Sequence, residues 1–274
     1  MLRALEQIRR MRGGAVSPDA LRRRLLYVVK FQNNPQHTRV LVNELLGTRL
    51  AARLGLPTVP VEIVAVSEEL IRLTPELAIE LPRARIPCQP GLQFGSRSPG
   101  DPRRLTLHDF LPDEQLRTVE NVHAFAGILV FDKWTCNTNG RQTVFFSEGN
   151  RTAEQGAVRY ETRMIDQGFC FNAGEWNFPD APLRGLYARN RVCEGVTGME
   201  SFAPWLERLE KQASERVLDE ASREIPAGVV CRRLRRAAAA PGTIAPPATA
   251  RAGPDSGGQE MQSPAISKLD VNHE

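Results

Sequence analysis

A lysine stands inside the run Leu26-Tyr-Val-Val-Lys-Phe31, which is otherwise apolar and rich in β-formers, and this restricts the fold more than any other feature of the chain. Strand alternation puts Leu26, Val28 and Lys30 on one face and Tyr27, Val29 and Phe31 on the other. An ammonium buried between such faces is costly unless it is paired or bound to an anion. Fourteen residues on, Glu44 shares a helix face with Leu41, Leu45 and Thr48 and needs a partner as well. Two readings are open at this point. Either the two charges meet in the interior, or Lys30 snorkels from an edge strand while Glu44 sits on the rim of its helix.

The rest of the chain bounds the frame around that pair. Its 274 residues, 41% hydrophobic, suffice for one large globular domain or a two-lobed one. There is no apolar run of about eighteen residues, so no membrane span is expected. Met1–Arg12 is rich in arginine without an apolar core, unlike a secretory signal. The five cysteines are odd in number and never spaced CxxC, which disfavours a disulfide framework or zinc site and suits a reducing cytoplasm. The net charge of +4 is spread along the chain, against nucleic-acid binding as the main role. The exception is a basic knot at Arg232, Arg233, Arg235 and Arg236. From Pro226 the composition turns to Ala, Pro, Gly and Ser, which predicts a disordered tail over 226–274 and a folded domain over 1–225.

Periodicity predicts a helix from Thr38 to Leu54, stopped by Gly55-Leu-Pro57, and a strand from Thr58 to Val66. Leu81–Pro102 reads as a loop. A second helix is expected over Glu114–Phe131, short strands over Thr143–Phe146 and Tyr160–Ile165, and one amphipathic helix over Ser201–Arg223 with Ser201 as its cap. The order fits an α+β fold.

Three further features carry chemistry. Asp132 and Asn137 stand in a D-x4-N spacing, which in protein kinases supplies a proton acceptor and a magnesium ligand. Asp166 ends a short strand before Gln167-Gly168, as a kinase metal-binding Asp does. Gly13, Gly14 and Ser17 could offer backbone N–H groups to phosphate, although Pro18 cannot. Each alone is equally an ordinary turn or cap. Together with the Lys30–Glu44 pair, which is how kinases hold the α- and β-phosphates of ATP, they occur in kinase order. No G-x-x-x-x-G-K-[ST], G-x-G-x-x-G, H-E-x-x-H or G-x-S-x-G motif is present.

Tyr27-Val-Val-Lys-Phe31, Val42-Asn-Glu-Leu-Leu46, Leu54-Gly-Leu-Pro57, Phe131-Asp-Lys-Trp134, Asn137-Thr-Asn-Gly-Arg-Gln142 and Ile165-Asp-Gln-Gly168 together resemble the HipA-like kinase family of bacteria. The resemblance covers roughly residues 12–225. It implies a two-lobed protein-kinase-like fold, with a sheet-plus-helix lobe over about 1–80 and a mostly helical lobe over about 81–225. It implies ATP with magnesium, and phosphoryl transfer to a Ser or Thr hydroxyl of a protein or another acceptor. The best-known members are toxins paired with an antitoxin. Residue by residue, Lys30 would contact phosphate, Glu44 would position it and Asp166 would bind magnesium. Relatives often read Asn-x-Asp-Arg in the catalytic loop. On that alignment Asn139 stands where the base is expected and Gln142 lies near the metal-binding Asn. On the D-x4-N alignment Asp132 is the base and Asn137 the metal ligand. The residues leave both alignments open.

Overall fold

The computed structural model describes residues 2–10, 25–33, 38–100, 105–140, 143–148, 158–181, 184–223, 225 and 266–273. It is a mixed α/β structure. Its strands are β1 (Leu2–Arg10), β2 (Leu25–Lys30), β3 (Val61–Val66), β4 (Ala78–Leu81), β5 (Ala84–Pro87), β6 (Gly91–Arg97), β7 (Leu105–His108), β8 (Thr143–Glu148), β9 (Glu161–Met164) and β10 (Ile266–His273). Its α-helices are α1 (Thr38–Arg53), α2 (Glu68–Leu73), α3 (Asp113–Leu116), α4 (Ala124–Trp134), α5 (Ala203–Gln212) and α6 (Glu215–Arg223).

Five strands close a barrel in the order β1-β10-β2-β6-β3, with β3 returning in parallel to β1. The strand β2 is buried on both faces, through Tyr27 and Val29 on one and Leu26 and Lys30 on the other. Tyr27, Val29 and Phe31 pack with Val64, Val66 and the hairpin residues Leu77, Ile79 and Cys88. The helix α1 lays Leu41, Val42 and Leu45 against Val61 of β3 and Phe94 of β6. The barrel strand β6 falls inside the stretch expected to be loop. Gly95 in its middle explains the misreading. A side chain at Gly95 would meet Val64 Cγ2 at 2.5 Å, so the strand there needs the residue that breaks a strand pattern.

The helix α1 ends as expected. Gly55, at φ +75, and Leu56 close a Schellman motif on Ala52 and Ala51. Beyond it a second core gathers Phe125, Ile128 and Phe131 of α4, Leu50 of α1 with Leu54 just after it, Phe145 of β8 and Met164 of β9. The strands β7, β8 and β9 form an antiparallel sheet there. The helix expected over Glu114–Phe131 is instead α3, a run of turns and α4. The helix expected over Ser201–Arg223 is α5 and α6, broken at Ala213-Ser214, where Ser214 accepts from the Val217 N–H. Phe202, not Ser201, is the N-cap of α5, and Ser201 instead accepts from the Thr197 N–H.

The predicted tail differs from the structure at its far end. Residues 266–273 form β10 inside the barrel, whereas 226–265, with the basic knot, lie outside the described residues. Among the described residues no helix is long and apolar enough to cross a membrane.

Candidate active site

Lys30, at the end of β2, turns inward with its side chain only 8% exposed. Its Nζ donates to Glu44 Oε2 at 2.9 Å and to Asp166 Oδ1 at 2.5 Å. The two charges left open by the sequence therefore meet in the interior rather than reaching solvent. Burial opposes the lysine's charge, but Glu44 and Asp166 outweigh it and hold its pKa above the ordinary lysine value. Glu44 is fixed in turn, because its Oε1 accepts the backbone N–H of Gln167 at 3.2 Å.

Asp166 is the open member of the trio, with its side chain 46% exposed. It lies two residues past the end of β9, in the left-handed region at φ 66 and ψ 47, which Asp tolerates better than most residues. The next residues pack directly under α1. A side chain at Gly168 would meet Val40 Cγ1 at 2.5 Å and Glu44 Oε2 at 3.1 Å, so glycine is what lets this segment approach the helix. Among the described residues no group of three or more His, Cys, Asp or Glu side chains could hold a metal by itself.

The loop after α4 reaches the same place from the other side. The helix ends in a Schellman-like turn, with Cys136 at φ 52 in the position glycine usually takes. The Asn137 N–H donates to the Asp132 carbonyl at 2.9 Å. Asn139 then donates from Nδ2 to the Asp166 carbonyl at 3.0 Å. Thus Lys30, Glu44, Asp166 and Asn139 converge.

Asp132 and Asn137 lie beneath that group, both 0% exposed. Asn137 Nδ2 donates to Asp132 Oδ1 at 2.7 Å, and its Oδ1 accepts the Asn139 N–H at 3.0 Å. Both ends of its carboxamide are thus engaged inside the protein. Burial pushes the Asp132 carboxyl up to about 8, against the downward pull of the Asn137 hydrogen bond. Gly13, Gly14, Ser17 and Gln142 lie outside the described residues.

Asn43 is a site residue that the sequence reading did not single out. Fully buried on α1 beside Glu44, it donates from Nδ2 to the carbonyls of Gly168, Cys170 and Ala173 and accepts from the Trp176 indole at 2.9 Å. These bonds hold a turn in which Phe171, Asn172 and Ala173 all have positive φ. The available signal was a polar residue on an apolar helix face, next to a residue already chosen.

A comparison with curated protein sequences gives no match. The sequence model of the HipA-like kinases matches residues 6–172, which include the strand of Lys30, the helix of Asn43 and Glu44, the loop of Asn139 and the turn of Asp166. With more than half of its length matched, the chain belongs to the HipA-like kinase family.

Proposed function

We propose that the chain is an ATP- and magnesium-dependent phosphotransferase on a two-lobed kinase-like frame, passing the γ-phosphate to a hydroxyl of a protein or another acceptor. The observation that carries this reading is the buried Lys30 ammonium held between Glu44 and Asp166. The residues fit a magnesium–polyphosphate ligand. Lys30 offers a permanent positive charge, and half-exposed Asp166 offers the hard oxygen donor magnesium takes. When bound, that ligand supplies the phosphoryl group and the metal's neutralising charge. Lys30 binds phosphate oxygens as a point charge, Glu44 fixes the direction of its ammonium, and Asp166 holds the metal. The free cysteines Cys88, Cys136, Cys170 and Cys193 suit a reducing cytoplasm.

A second reading has its own observation. The residue beside Asp166, where relatives often carry the base, is Asn139, and a carboxamide does not accept a proton as a carboxylate does. The other candidate base, Asp132, is 0% exposed. This supports a catalytically impaired protein that holds nucleotide, or a partner, with little turnover.

Calorimetry of ATP with and without magnesium tests the first reading, on wild type, Lys30→Met and Asp166→Asn. We expect magnesium-dependent binding that Lys30→Met abolishes and Asp166→Asn strips of its magnesium dependence. Unchanged affinity in Lys30→Met would sink the assignment. Transfer assays on Asn139→Asp separate the two readings. A gain of about 100-fold or more, the size of a general-base contribution, identifies the wild type as impaired. Rapid transfer by wild type with no gain in the variant identifies an active enzyme.

A further inference from the structure

Asp132 sits near the end of α4 with no exposed surface, and Gly185 lies directly over it. A side chain at Gly185 would meet Asp132 Cβ at 2.7 Å, so the backbone at 185 closes off that side. A group in this position is poorly placed to meet a substrate hydroxyl. It is well placed to orient a neighbour.

That neighbour is Asn137. Its carboxamide has two different ends and must choose which way to face. Asp132 Oδ1 accepts from Nδ2 at 2.7 Å, which turns Asn137 Oδ1 outward to the Asn139 N–H at 3.0 Å. Rotated by half a turn, the amide would set oxygen against oxygen at Asp132 and N–H against N–H at Asn139. Gln167 adds a weaker acceptor on the same side, with Oε1 at 3.5 Å from Nδ2. The oriented loop then reaches Asp166 through Asn139 Nδ2 at 3.0 Å. Gln167 also donates its backbone N–H to Glu44 at 3.2 Å.

We propose that Asp132 is a positioning residue that sets the orientation of Asn137 and, through it, holds the 137–139 loop against the Asp166 turn, without exchanging a proton with any substrate. The role matters for catalysis only if the Asp166 cleft binds magnesium–ATP as proposed above. What position 132 must supply is a hydrogen-bond acceptor, not a charge. The carbonyl of an asparagine meets that requirement and the methyl of an alanine does not.

Amide hydrogen exchange at Asn139, without nucleotide, reads the brace directly. Asp132→Ala is expected to speed that exchange about tenfold or more, because Asn137 loses the acceptor that turns it. Asp132→Asn is expected to stay within about twofold of wild type, because it keeps the acceptor. Equal exchange in wild type and Asp132→Ala would overturn the proposal. So would Asp132→Asn behaving like Asp132→Ala, since the carboxylate itself would then be required. Should Asp132→Ala fail to fold, Asn137→Ala cuts the brace from its other side and must release the Asn139 amide equally. A protected Asn139 amide in that variant would also overturn it. Magnesium–ATP affinity is then compared in the same proteins, and it should fall in Asp132→Ala and hold in Asp132→Asn. A wild type that binds no magnesium–ATP would sink the nucleotide reading, while the exchange comparison would still decide the role of Asp132.

Discussion

Asp132 is also the residue whose ionisation bears most clearly on stability. Its carboxyl titrates near 8 in the folded protein against an ordinary 3.8, raised by burial. Between those values the native state holds a proton that the unfolded chain has released. Stability therefore falls as pH rises through this window, and the whole cost is present above about 8. Asp132→Asn removes the titration while keeping the acceptor. The variant should gain on wild type by roughly 5 kcal/mol between pH 4 and pH 8, since each pKa unit is worth about 1.4 kcal/mol. Urea denaturation at the two pH values measures this. A constant difference between the proteins would show that Asp132 ionises normally. The same residue shows what a sequence can and cannot convey. Lys30 and Glu44 were legible because a charge amid apolar neighbours demands a partner. Which of Asp132 and Asn139 is fully buried was not, since spacing along the chain does not tell which side chain lies beneath the other. Asn43 was hidden for a similar reason. Its partners are backbone carbonyls more than a hundred residues away, and backbone has no sequence signature.

At the scale of elements, α4 is held to α5 through a glycine. A side chain at Gly127 would meet the Trp205 ring at 2.4–2.7 Å, so the indole lies flush against the α4 backbone. Trp205 also carries the Arg208 guanidinium over its ring at 4.7 Å. Gly127→Ala should improve the intrinsic helix propensity of α4 by somewhat under 1 kcal/mol, yet overpacking costs about 1–3 kcal/mol. The net expectation is a loss of up to about 2 kcal/mol in equilibrium denaturation. A stabilised variant would mean that Trp205 moves aside freely. This contact lies between segments whose apolar pattern was legible, but its closeness was not. Periodicity found the inward face of α5 in Trp205 and Leu209, and of α4 it caught Phe125 but not Ile128 and Phe131, which complete the core face. It also ran each helix too far. The pattern of apolar residues continues through Thr118–Val122 and Ala213-Ser214, where local hydrogen bonds turn the backbone instead.

For the whole molecule, the least legible feature is the strand that comes last. The sequence of β10, Ile-Ser-Lys-Leu-Asp-Val-Asn-His, has weak alternation and follows a stretch rich in Ala, Pro and Gly. Nothing local marks it as part of a barrel whose other strands all lie before residue 98. Its placement rests on backbone pairing from both sides. It runs antiparallel to β1 from Leu2↔His273 to Arg10↔Ser267, and antiparallel to β2 from Leu25↔Val271 to Lys30↔Ile266. Without it, β1 would keep only the two pairs Leu2↔Val64 and Arg3↔Ala65, and β2 only its pairing with β6. An opened edge of this kind loses a row of backbone hydrogen bonds and the restraint on the strand carrying Lys30. A chain ending at residue 265 should therefore lose amide-exchange protection along β1 and β2 while α4 and the β7–β9 sheet keep theirs. Its lysine should also hold Glu44 less firmly, so magnesium–ATP affinity should drop if the nucleotide reading holds. Undiminished protection in β1 and β2 would mean that the barrel closes without the strand. Loss spread equally over α4 would mean that the two cores, which share α1, unfold as one unit.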